Sequence, residues 1–122
     1  MQGQAAEAYR QTAKRGAAPR DLEASLLTHS AALLQRVRDH WGENSELAGA
    51  LAYNRKLWSV FLASVTKPDS QLPKPVKQNV ANLGLFVMNH TIEVQASPAA
   101  DKLDVLIAIN RQLAAGLRAA QR

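Results

Sequence analysis

The sequence predicts an all-α fold, a single domain covering the whole chain and built as a bundle of about five helices. Three observations carry that expectation. Apolar residues recur at three- and four-residue spacing in four long segments, prolines gather in the stretches that separate them, and no stretch alternates apolar and polar residues as a half-buried strand does. Short connections between amphipathic helices favour antiparallel neighbours, which makes a bundle the natural architecture.

The first element is expected over 4–14, Ala-rich and weakly apolar, docked on the bundle through Tyr9 or free to move. It ends at Arg15-Gly16-Ala17-Ala18-Pro19, where Gly and Pro both disfavour continuation. The second runs over 19–40. Pro19 suits a first helical turn, and Asp21 and Glu23 suit the positive end of the helix dipole. Leu22, Leu26, His29, Leu33, Val37 and His40 form its expected inward stripe, widened by Leu27 and Leu34.

Trp41-Gly42-Glu43-Asn44-Ser45 breaks the pattern, with Asn44 or Ser45 as the cap of a third helix over 45–65. At about 100° per residue, Leu47, Leu51, Trp58, Phe61, Leu62 and Val65 share one stripe, while Tyr53, Leu57 and Val60 lie well off it. A Pro-punctuated connection over 67–75 leads to the fourth helix, 73–95. Val76, Val80, Leu83, Val87, Thr91 and Val94 form its stripe, and Leu85, Met88 and Ile92 point to the other side. Ser97-Pro98 is expected to cap the fifth helix, 98–118, with Asp101 and Asp104 early and Arg111 and Arg118 late, as the dipole prefers.

At 122 residues and 47% hydrophobic, the chain can bury a self-supporting core. Without cysteine there is no disulfide framework and no thiolate chemistry. The first residues lack the basic and apolar regions of a signal peptide, and the longest strongly apolar run, 83–88, is far short of the ~20 residues that span a bilayer. A cytoplasmic protein without membrane insertion is expected. The net charge of +5 suits an acidic partner, but the basic residues are scattered and aromatic residues are few. As a nucleic-acid signal this is weak.

No catalytic constellation is legible. His29, His40 and His90 have no metal-site spacing and no carboxylate cluster beside them. Asp21, Glu23, Asp39, Glu43, Glu46, Asp101 and Asp104 sit near helix ends, where capping and dipole arguments explain them. Ser25, Ser30, Ser59 and Ser64 lack a nucleophile-elbow context, and Gly84 stands alone inside a helix, where it permits close packing near Trp58. No catalytic residue, no metal and no cofactor is expected.

Interaction chemistry is more legible. Asn54 falls among Leu47, Leu51 and Trp58, and Asn110 among Leu103, Leu106 and Ala114, so both face inward. They are either satisfied core amides that fix helix register or groove-lining amides for a guest. Asn82 and Asn89 lie one heptad apart beside Leu85 on the far side of the fourth helix, a mixed face like the edge of an interface. The candidate partner-binding set is Tyr53, Leu57, Asn82, Leu85, Met88, Asn89 and Ile92. Lys67, Lys74 and Lys77 make either a basic spot for an acidic partner or a group of solvated lysines.

The strings AYNRKLW (52–58), NVANLGLFVMN (79–89) and INRQLAAGL (109–117), with QAAEAYRQTAK (4–14) near the start, resemble FlaF, the flagellar biosynthesis regulators of alphaproteobacteria. The resemblance implies a flagellar protein that binds flagellin and supports its secretion and assembly in a chaperone-like way, with FlbT as a second partner. The alternative is an RNA-binding regulator of flagellin synthesis, acting directly or through FlbT.

Overall fold

The computed structural model describes residues 19–43 and 46–120. Four α-helices occupy them: α1 (Pro19–Asp39), α2 (Leu47–Val65), α3 (Lys74–Ala96) and α4 (Leu103–Ala120), the last preceded by a 3₁₀ turn (Ala100–Lys102). Among the described residues there is no strand, so the fold is all-α. The helix expected over 4–14, with Tyr9, lies outside the described residues, and so do the expected caps Asn44 and Ser45.

The boundaries follow from the punctuation. Pro19 opens α1, where its missing N–H would have had no partner. Beyond the end of α1, Gly42 turns the chain at φ 84°, a left-handed conformation that favours glycine. Pro73 holds the N-cap position of α3, and Pro75 sits within its first turn.

The other end of α3 corrects an expectation. Ser97 terminates α3, its N–H donating to Glu93 O at 3.0 Å, instead of capping the next helix. Pro98 excludes the α conformation at the residue before it, and Ser97 accordingly lies at φ −143° and ψ 77°. The chain then makes the 3₁₀ turn, and α4 begins at Leu103 rather than near 98.

α1 packs most extensively on α4, α2 packs on α1, and α3 packs chiefly on α2, touching α4 only lightly. α1 and α4 are antiparallel. Arg38 near the end of α1 binds Asp104 at the start of α4, through contacts of 2.7 and 3.4 Å, while Arg118 near the end of α4 donates to Thr28 Oγ1 at 3.3 Å. This order leaves α3 at the edge of the bundle.

The inward face of α1 is rotated from the expected stripe. Ala24, Leu27, Ala31 and Leu34 are fully buried, whereas Leu22, Leu26 and Leu33 are half-buried and His29 and His40 are exposed. Ala24 and Ala31 have little side chain to signal a core position. They let the α1 backbone approach α4, where Ala114 is also buried.

α2 buries two faces because it lies between α1 and α3. Leu51, Trp58, Phe61 and Val65 form one, and Tyr53 and Leu57, off that stripe, are buried as well. Gly84 of α3 meets α2 at Leu62 rather than near Trp58: a Cβ there would lie 2.6 Å from Leu62 Cδ1.

Candidate interaction face on helix α3

Of its expected stripe α3 buries Val80, Val87, Thr91 and Val94, with Gly84 beside them, whereas Leu83 is half-buried and Val76, in the first turn beyond the reach of the neighbouring helices, is exposed. Thr91 is satisfied within the helix, its hydroxyl donating to Val87 O at 2.6 Å. The opposite face is left open. Leu85 is 65% exposed, Ile92 61% and Phe86 43%, with exposed Asn82 and Asn89 between them and Met88 half-buried. From Gln78 to Ile92 the helix carries no Asp, Glu, Lys or Arg.

Apolar side chains this exposed on one helix, without charge among them, make this face the candidate interaction surface of the bundle. Phe86 was not among the residues singled out in the sequence, because its helical angle falls between the inward and outward stripes. Its ring stacks on His90, with centroids 5.3 Å apart and planes 12° from parallel. His90 Nε2 lies 2.7 Å from Lys102 O, and since a carbonyl only accepts, Nε2 carries the proton. That bond joins this flank of α3 to the turn before α4.

Five of the seven expected partner-binding residues lie on α3: Asn82, Leu85, Met88, Asn89 and Ile92. Tyr53 and Leu57 do not join them. They are 6% and 3% exposed, on α2, inside the bundle. Tyr53 meets the ring of His29 edge-on at 5.5 Å, and burial pushes its phenol above the usual tyrosine range. The residues flanking the α2 stripe are core because α2 has neighbours on two sides.

Lys67, Lys74 and Lys77 come together where α2 ends and α3 begins. Lys77 Nζ donates to Lys67 O at 3.4 Å. Lys74 and Lys77 line an open groove of about 310 Å³ with Thr66, Gln78 and Ala81. Among the described residues no carboxylate pairs with any of the three lysines. At the far end of α3, Glu93 is neutralised by Lys102 Nζ at 3.1 Å, which offsets its unfavourable place at the negative end of the helix dipole.

Asn54 and Asn110, expected to face inward, are fully buried and bonded to one another. Among the described residues no group of His, Cys, Asp or Glu could hold a metal ion, and no helix is long and apolar enough to cross a membrane.

These features define a small all-α bundle protein with one uncharged, partly apolar helix face open at its edge. The family model for flagellar protein FlaF matches residues 5–117, and the chain belongs to that family. It is a flagellar protein, of a family not known for enzymatic activity. Comparison with the curated proteins and with the solved structures found no match.

Proposed function

We propose that this protein binds flagellin in the cytoplasm and supports its secretion and assembly in a chaperone-like way, through the outward face of α3. The observation that carries this reading is the exposure of Leu85 and Ile92, 65% and 61%, on a helix face without charge. Terminal flagellin segments that are unfolded before export and helical in the filament present apolar anchors at i, i+3, i+4 and i+7, which suit such a face. Binding orders the guest and covers its apolar residues, so that assembly waits for export. No bond is made or broken. FlbT is a second partner in this reading.

Titrating purified protein with flagellin terminal peptides tests it. Binding is expected with a negative heat-capacity change, the marker of apolar burial, and with modest salt dependence. Leu85→Ser with Ile92→Ser is expected to weaken binding at least about tenfold, since each lost anchor is worth on the order of 1 kcal/mol or more, while leaving the fold intact. Tight binding to flagellin leader RNA that collapses as salt rises, together with no peptide binding, overturns the reading in favour of an RNA regulator.

A further inference from the structure

Gln78, Asn82, Leu85, Asn89, Ile92 and Ala96 follow one another at spacings of four and three, the heptad seam of a two-stranded coiled coil, and all six are exposed. Within it, amide and aliphatic side chains alternate: Asn82, Leu85, Asn89, Ile92. Asn82 Oδ1 accepts from Gln78 Nε2 at 3.1 Å, and Asn89 makes no hydrogen bond to a described residue. A seam residue of this kind sets which helix is accepted and in which register, because an amide buried against an aliphatic side chain loses its hydrogen bonds to water and gains none.

A second copy of the chain does not fit. In any antiparallel register the two seam positions face each other crosswise, which sets each Asn against Leu85 or Ile92, or against Gln78 with the other Asn then opposite Leu85 or past the end of the helix. In the parallel register the amides match, but Lys74 and Lys77 of both copies then crowd at one end, where no carboxylate offsets them. A different helix that keeps the parallel register and carries carboxylates at that end removes both conflicts. Its carboxylates, in its own first turn, also suit its own dipole.

We infer that the seam Asn82–Leu85–Asn89–Ile92 of α3 receives one helix of another protein, parallel to α3. This guest places amide or hydroxyl side chains opposite Asn82 and Asn89, aliphatic side chains opposite Leu85 and Ile92, and carboxylates in its first turn against Lys74 and Lys77. The inference rests on the reading of α3 as the binding face and specifies the chemistry of its guest.

The experiment uses the full chain and three synthetic helical peptides. One has Asn and Leu alternating at its seam and three Glu in its first turn; a second replaces those Glu by Lys; a third keeps the Glu and replaces the seam Asn by Leu. The first peptide is expected to bind at least about tenfold more tightly than either of the others, as expected where like charges or unpaired amides are forced together. Lys74→Glu with Lys77→Glu should reverse the preference between the first and second peptides. Asn82→Leu with Asn89→Leu should reverse it between the first and third. Circular dichroism checks that both variants keep the fold.

Failure of the first peptide to bind, equal binding of all three, or preferences unchanged in the variants overturns the inference. Flagellin titrated in parallel separates the two readings. Flagellin binding without peptide discrimination removes only the guest chemistry, whereas peptide discrimination without flagellin binding removes only flagellin as the partner.

Discussion

The indole of Trp58 donates to Asn110 Oδ1 at 3.0 Å, and both side chains are fully buried. An indole N–H only donates, so the Asn110 carbonyl must face it and the Asn110 amide must face away. That amide donates to Asn54 Oδ1 at 2.7 Å, which also accepts from Ser30 Oγ at 2.9 Å. One donor-only group on α2 therefore orients a chain of polar side chains across α1, α2 and α4. Among the described residues Asn54 Nδ2 is buried with no hydrogen-bond partner.

Removing the central amide is expected to destabilise the protein well beyond a surface substitution. Asn110→Ala strips a partner from the Trp58 indole, at ~1 to 3 kcal/mol for the orphaned donor, and opens a small cavity. Urea unfolding followed by tryptophan fluorescence measures the loss. A variant within about 0.5 kcal/mol of the parent would show that the network contributes nothing.

Gly84→Ala tests the closeness of α2 and α3. Alanine improves helix propensity by ~1 kcal/mol, but its Cβ would come within 2.6 Å of Leu62 Cδ1 and 2.8 Å of Cδ2. The near atoms are the methyl ends of half-buried Leu62, so a rotamer shift of that side chain absorbs part of the clash, and the overpacking should cancel most of the gain, leaving a net change within about 1 kcal/mol of zero. In a Leu62→Ala background the same change should stabilise. An additive double-mutant cycle would remove the contact from the account.

The two faces of α3 should respond oppositely to truncation. Val87, fully buried, should cost ~1 to 3 kcal/mol as Val87→Ala, the loss expected for buried methyl groups and the space they leave. Leu85→Ala, at a side chain 65% exposed, should leave stability within about 0.5 kcal/mol. Thermal or urea midpoints of the two variants decide it, and a large loss for Leu85→Ala would place that residue in the core.

Arg38 and Asp104 link stability to acid. The hydrogen bond from Arg38, with its charge, holds the Asp104 carboxyl below the usual carboxylate range. A folded-state value below the unfolded one means that the native protein binds fewer protons, so the pair contributes above the ordinary Asp value. Its contribution is lost as pH falls through the lowered one. Both side chains are well exposed, so the effect should be small and screened by salt. Urea unfolding of Asp104→Asn and parent across pH should show a gap at neutral pH that closes in acid. A gap that widens in acid reverses the sign and rejects the pair.

Much of the candidate face was legible in the sequence because it depends on one helix alone. Asn82, Leu85, Met88, Asn89 and Ile92 share a side of any helix drawn through them, whatever packs on the other side. Tyr53 and Leu57 had the same standing by periodicity, yet they are core. Their position depends on a second neighbour of α2, which no property of the 45–65 segment announces.

Periodicity and punctuation by themselves determined that the described residues are all-α, where Pro19 and Pro73 limit the helices, and that Asn54 and Asn110 face inward. These are local consequences of backbone geometry and side-chain spacing. The tertiary structure alone decided that α1 turns its alanines rather than its outer leucines inward, that Leu62 meets Gly84, that Ser30, Asn54, Asn110 and Trp58 share one network, and that α3 lies at the edge with its heptad seam uncovered. A helix's own sequence states how many faces can be buried. Which face is buried depends on the distance and chemistry of neighbours far away in the chain.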